Sequence, residues 1–405
     1  LKSVNRLEAR ARAWWVYQVH VGVIGVFRLM LDGMCLGLSG VEEVVSRLSS
    51  FRVPGFNFRF VDREREARAV LDVSGGVVMG GWITVVYGPK GCGKTELFRA
   101  LYNASRGAGG VDFVIVRSER EAWRVDELLA PRGLRGVLSR VAGSLGFEIL
   151  SSGEVRGFVD VAKLVGALAG YIAYRLRRGR RVVIVVDEVR GDSGVRLAEL
   201  RGWLEGFANT LREHSSRYLE GRGGSIAVVA LISDAMVMEI RNRVGSKVVW
   251  ALLWNLPYEV MVDLAGQLEL GEDPKLLWRL TGGNPRALVD IRIRGLKRWV
   301  EDEVIRPVGD VVEEVEGVLG GRLWDEIGVA VENVDEADYN LKLSMLKHNI
   351  AIYIAGATQL TELPRERWVG ERYAYQIPAY YHVLKLVHER KDVRLKAENI
   401  LENLS

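Results

Sequence analysis

The residues best suited to chemistry in this chain of 405 amino acids form one unbroken run: Gly88, Pro89, Lys90, Gly91, Cys92, Gly93, Lys94 and Thr95. Glycines let the backbone curl until successive N–H groups face one small space, and a helix opening at Lys94 adds the partial positive charge of its N-terminus. A polyphosphate fits such a cradle. Lys94 is expected to neutralise β- and γ-phosphate oxygens, and Thr95 to offer its hydroxyl to a magnesium ion that keeps most of its waters. Glu96, next along the helix, joins the run as a contact candidate. A chance glycine loop is the bland alternative. It weakens because an apolar strand precedes the loop and a helical pattern follows it.

A second constellation lies downstream. Five apolar residues, Val182 to Val186, carry Asp187 and Glu188 to the C-terminal edge of a sheet, where ligands of open α/β folds collect. Asp187 is expected to hold the magnesium through water. Glu188 is expected to orient or deprotonate the water that attacks the γ-phosphate, because phosphoryl transfer needs positioning more than covalent help. Two acids that merely close a strand are the common alternative, and the upstream loop argues against it. Ser233, after the apolar run Ile226 to Ile232, is a candidate γ-phosphate sensor and equally a helix N-cap. Arg286 follows the turn Gly282, Gly283, Asn284, Pro285, and from there an arginine can report the γ-phosphate by charge-assisted contact. A plain surface arginine is its alternative.

These groups need a scaffold. Short runs that are apolar on both parities, Trp82 to Tyr87, Phe113 to Arg117, Val182 to Asp187, Ile226 to Ile232 and Val248 to Leu253, read as strands buried on both faces. Helical spacing covers Lys94 to Ser105, Asp160 to Arg178 and Val195 to Arg217. The fold class is therefore α/β, a P-loop parallel-sheet core whose Asp-Glu pair marks the class with an additional catalytic glutamate. After Pro257 helix follows helix, which reads as a lid. From about Asp335 a helix, strand alternation at Ile350 to Ile354 and Tyr373 to Ile377, and a helix after Pro378 outline a winged helix. The expected organisation is residues 1–53 as an extension of unassigned role, 54–256 as the ATPase core, 257–333 as the lid and 334–405 as the winged-helix-like domain. Residues 107–160 read as an insertion of unreadable purpose.

Composition sets outer limits. Hydrophobic residues at 48% and charged residues at 27% suit neither a disordered chain nor a membrane bundle. The apolar stretch from Trp14 to Phe27 is short for a span, so no membrane partner is expected. Cys35 and Cys92 are too few and too distant for a disulfide framework, which points to a reducing, cytoplasmic setting. A net charge of +4 decides nothing about nucleic acid, since binders need clustered basic groups.

Together, Phe60-Val61-Asp62-Arg63-Glu64-Arg65-Glu66, the loop with Asp187-Glu188, and Leu280-Thr281-Gly282-Gly283-Asn284-Pro285-Arg286 resemble the archaeal branch of the STAND ATPases, relatives of AAA+ proteins. The resemblance implies ATP and Mg2+ as cofactors, a nucleotide-driven switch, Phe60, Val61 and Arg63 against the adenine, and Pro285 with Arg286 as a second sensor. It also leaves a DNA-binding, initiator-like ATPase open, with nucleic acid met by the C-terminal domain through Lys342, Lys347, Arg365, Arg367 and Arg372. A homo-oligomer or protein partner stays open too. Arg241 and Arg243 are arginine-finger candidates by position alone.

Overall fold

The computed structural model describes residues 40–404 except 57, 61, 78–82, 107, 118–124, 132–133, 135, 138–141, 144–145, 158–163, 165–167, 169–170, 173, 177, 190–224, 233–236, 238–240 and 242–247; side chains of 72–77, 188–189 and 225 are also outside it. The expected helix Val195 to Arg217 lies beyond these residues, as does much of Asp160 to Arg178.

The apolar runs form β1 (Ile83–Tyr87), β2 (Val111–Arg117), β3 (Glu127–Leu129), β6 (Arg181–Val189), β7 (Ser225–Ile232) and β8 (Val248–Leu252). Two short strands, β4 (Glu148–Ile149) and β5 (Val155–Arg156), make a separate hairpin inside the expected insertion, and β10 (Thr358–Gln359) comes from far downstream. The main sheet runs β10-β8-β1-β7-β6-β2-β3, with every pairing parallel except β2 to β3. Such strands must bury both faces: Val85, Val86, Phe113, Val114, Val183, Ile184, Val228 and Val229 are all essentially inaccessible. Helix α1 (Glu64–Val77) packs on β1 and β7, and α2 (Lys94–Ser105) on β2. Because β7 lies between β1 and β6, the end of β7 opens between the glycine loop and the Asp187 strand.

Past β8 come α3 (Tyr258–Gln267), α4 (Pro274–Thr281) and α5 (Pro285–Arg294). The last two start alike: Asp273 accepts from Lys275 N and Asn284 from Ala287 N, each followed by a proline at the first helical position. Then α6 (Leu296–Trp299), a π segment (Val300–Ile305) and α7 (Arg306–Leu319) run on without a break. Pro307 explains the wide turn. Its ring would strike the carbonyl four residues back, and the π segment, where Arg306 N–H reaches Glu301 O, opens room for it.

Helices α8 (Leu323–Glu332) and α9 (Tyr339–Lys347) follow, then β9 (Ala351–Tyr353), antiparallel to β11 (Tyr373–Tyr375), and finally α10 (Pro378–Arg390) and α11 (Ala397–Leu404). Helices α7 and α8, assigned from sequence to the lid, pack on α9 and α10 instead. The helix from α6 to α7 is unbroken, so no linker divides the chain between residues 296 and 319. The long connection between β9 and β11 is no free wing either: β10 pairs Thr358 with Ala251 and Gln359 with Leu252 on the edge of the main sheet. Among the described residues no helix is long and apolar enough to cross a membrane.

Candidate functional site

The glycine loop leaves β1 at Gly88, where a Cβ would fall 1.8 Å from Leu253 O, so the backbone just past β8 admits no side chain there. Gly91 and Gly93 take φ of +84° and +97°, conformations that L side chains avoid, and they turn the loop into α2. Lys94 is the first residue of that helix. Its Nζ donates to Gly88 O at 2.8 Å and Pro89 O at 3.1 Å, which folds the ammonium across the loop it would share with a phosphate. Thr95 Oγ1 donates to Asp187 Oδ1 at 3.2 Å. Asp187 is buried, with Arg117 Nε 3.9 Å from its carboxylate. Glu96 is held from the side by Arg99 at 3.2 Å.

Thr95 and Asp187 are hard oxygen donors at one point of the sheet edge, which suits magnesium. Among the described residues there is no group of three or more His, Cys, Asp or Glu that could hold a metal ion.

The lid reaches the same loop. Arg286 N donates to Gly91 O at 3.3 Å, and its Cβ and Cδ sit 2.5 and 3.0 Å from where a Cβ on Gly91 would be. Its guanidinium is exposed, with Asp290 3.8 Å away. Burial pushes the Asp290 carboxyl up, and Arg286 pulls it back. Pro285 fills the first helical position, where no N–H is needed. Asn284 does more than cap. Its Nδ2 also donates to Lys90 O and to Asn255 Oδ1, both at 3.0 Å.

Of the candidate base contacts, Phe60 is half-buried with its ring edge-on to Phe51, and Val61 lies outside the described residues. Arg63 is buried, and its guanidinium donates to Cys92 O, Trp254 O, Glu66 and Thr361 Oγ1. Through Cys92 O it braces the glycine loop; the resemblance implied a place for it against the adenine. Beside it is a cleft of about 550 Å³ lined by Asp62, Glu66, Trp254, Tyr258, Trp278 and Leu363, among others.

For Glu188 only the backbone is described: it follows Asp187 at the end of β6, beside a register shift against β7. Ser233 and Arg243 lie outside the described residues. Arg241 is described, and it is engaged in its own chain: it donates to Ala355 O and Gly356 O and lies over the rings of Trp250 and Tyr353. Sequence reasoning missed Asn255, Thr361 and Gln376. Their partners are remote in the chain, so no local spacing marks them.

A family model described as an ATPase domain predominantly from Archaea matches residues 60–291. No curated protein matches the chain. Among solved structures, Cdc6p from Pyrobaculum aerophilum is similar at 12% identity, covering 87% of this chain and 97% of its own, with a TM-score of 0.35. Drosophila ORC bound to DNA shares 11% identity over 86% and 92%, at 0.33, and AMPPCP-bound DnaA from Aquifex aeolicus 14% over 74% and 78%, at 0.31.

Proposed function

The chain belongs to the family of ATPase domains found predominantly in Archaea, and from that premise we propose that it is a STAND-type molecular switch of the cytoplasm, in which bound Mg-ATP sets how lid and C-terminal module sit on the core. One observation carries the reading. At Lys90 and Gly91 the phosphate loop is held at once by the lid, through Asn284 and Arg286 N, and by the C-terminal module, through Gln376 Oε1, which accepts from Lys90 N at 2.7 Å. A ligand that bears on this loop differently as triphosphate and diphosphate therefore bears on both.

The residues divide the work. The N–H groups of Gly91 and of Gly93 to Thr95 and the ammonium of Lys94 receive the β- and γ-phosphates, the Cys92 N–H being donated to Pro89 O, and the base lies towards the cleft beside Trp254 and Tyr258. Thr95 and Asp187 would hold Mg2+, which when bound neutralises charge on the phosphate oxygens. Glu188 orients the attacking water and accepts its proton; Ser233, next in sequence after the strand between the two motifs, contacts the γ-phosphate. Arg286, exposed beside Gly91, adds a charge-assisted contact that ADP does not offer. The C-terminal module is read as a winged helix used for switching. A nucleic-acid role for it draws little from α9: Lys342 is held by Asp335 O and lies over Tyr373, and Lys347 pairs with Glu314.

The test is Glu188→Gln. The variant should bind ATP as tightly as the parent and lose turnover by about a hundredfold or more. Loss of binding instead would contradict the role given to Glu188.

A further inference from the structure

The connection between β9 and β11 does not hang free. After β10 docks on β8, Leu360 N donates to Leu252 O at 2.9 Å, and Trp368 stacks on Trp254 with ring centres 6.0 Å apart. The segment thus runs as a strap from the sheet edge to the phosphate loop. It brings the buried Thr361 there, and just past β11 the buried Gln376 joins it. Thr361 Oγ1 accepts from Arg63 Nη1 and from Trp254 N, each at 3.3 Å, and donates to Glu66 Oε1 at 3.2 Å. Arg63 in turn donates through Nη2 to Cys92 O at 2.9 Å. Gln376 is fixed at both ends of its amide: Oε1 accepts from Lys90 N at 2.7 Å, and Nε2 donates to Ala351 O at 3.3 Å.

We propose that Thr361 and Gln376 are positioning residues of the nucleotide site, one bracing the inner limb of the phosphate loop through Arg63 and the other its outer limb directly. The inference rests on the reading of this loop as an ATP site. Between the two braced groups, Lys90 N and Cys92 O, stands Gly91 at φ +84°. A glycine is the residue whose freedom most opposes a fixed cradle, so pinning the loop on either side of it removes conformations that a bound phosphate would otherwise have to exclude. Both braces act on the cradle and not on the attacking water. They should therefore strengthen binding of both ATP and ADP and leave the chemical step alone; the part common to the two nucleotides is uniform binding, and any difference between them is the coupling that the switch requires.

The experiment uses the full chain and measures ATP turnover with equilibrium binding of ADP. Thr361→Val keeps the shape and removes the hydroxyl; Gln376→Met removes the acceptor; Thr361→Ser restores the hydroxyl. Thr361→Val and Gln376→Met should each raise KM for ATP and Kd for ADP about tenfold with kcat within about twofold, while Thr361→Ser returns both constants towards the parent's. Tyr375→Phe, which deletes the bond from Tyr375 Oη to Ala330 O inside the same module, should lower the melting temperature and leave KM unchanged. Parent-like ADP binding in folded Gln376→Met, or Thr361→Ser as impaired as Thr361→Val, overturns the proposal. If Thr361→Val does not fold, Gln376→Met decides alone. A parent chain that takes up no nucleotide refutes the ATP reading itself, whereas parent binding with indifferent variants refutes only the bracing.

Discussion

Asn284→Ala should separate a helix cap from a contact that matters to the loop. The parent side chain does three things: Oδ1 accepts from Ala287 N at 3.1 Å, and Nδ2 donates to Lys90 O and Asn255 Oδ1. Loss of the cap costs about 1 kcal/mol. The bond to Lys90 O is only part-buried, so water can take the place of Asn284 there and its loss adds little. Asn255 is 1% exposed, and its Oδ1, left without a donor, costs about 1–3 kcal/mol. Its amide cannot simply flip, because Nδ2 donates to Gln376 O at 2.9 Å. The sum is about 3 kcal/mol, to be read from guanidinium unfolding of the full chain. Asn284→Asp makes the argument sharper. Aspartate is as good a cap and suits a helix N-terminus, yet it sets an acceptor against Asn255 Oδ1 and Lys90 O and adds a negative charge beside the phosphate cradle. It should be no more stable than the alanine variant and weaker for ATP. An aspartate variant as stable as the parent, or a loss below about 1 kcal/mol for alanine, would refute the reasoning.

Two further outcomes follow from packing and titration. Gly283→Ala puts a Cβ 2.0 Å from Leu256 O at φ +79°, so the turn into α5 must shift; we expect a loss of about 3 kcal/mol or more and slower turnover, checked by unfolding and steady-state assay. Burial, and then Lys385 and Arg279, push the His382 imidazole down from 6.5 to about 4. In that interval the unfolded chain binds the extra proton and the folded chain does not, so this group's contribution to stability is intact above about pH 6.5 and is lost as pH falls towards about 4. His382→Gln should flatten that decline in unfolding midpoints; parallel curves for parent and variant would discard the assignment.

What the sequence disclosed and what it hid divide along contact distance. The turn at Gly88 to Thr95 and the place of Asp187 near a strand end were legible because their signals are local: a fixed glycine spacing between strand and helix, and an apolar run ending in acid. The strands were legible because burial on both faces removes polar alternation. Arg63 stood in a recognisable box, yet its burial depends on carbonyls of Cys92 and Trp254 that no window around it contains. Thr361 meets Arg63 across 298 residues and Gln376 meets Lys90 across 286. The strap itself was hidden by its size, since β10 is two exposed residues, Thr358 and Gln359, and a parallel pairing that short has no periodicity to read.

The unbroken helix changes how the two arms on the loop must behave. From Gly91 the chain of contacts passes to α5, through Gly295 at φ +83° into α6, the π segment and α7, and from α7 to α9, where Glu314 is bonded by Ser344, Lys347 and His348. From α9 it continues through β9 to Gln376, and so back to Lys90. This is a closed ring of packed elements. Close-packed helices do not deform continuously, so a displacement imposed on α5 is passed on: the C-terminal module moves with it, the Lys90 to Gln376 bond parts, or the chain bends at a joint between helices. In the switch proposed above, Gly295, the left-handed glycine between α5 and α6, would be the place where the ring bends, so that the long helix beyond it would move as one piece.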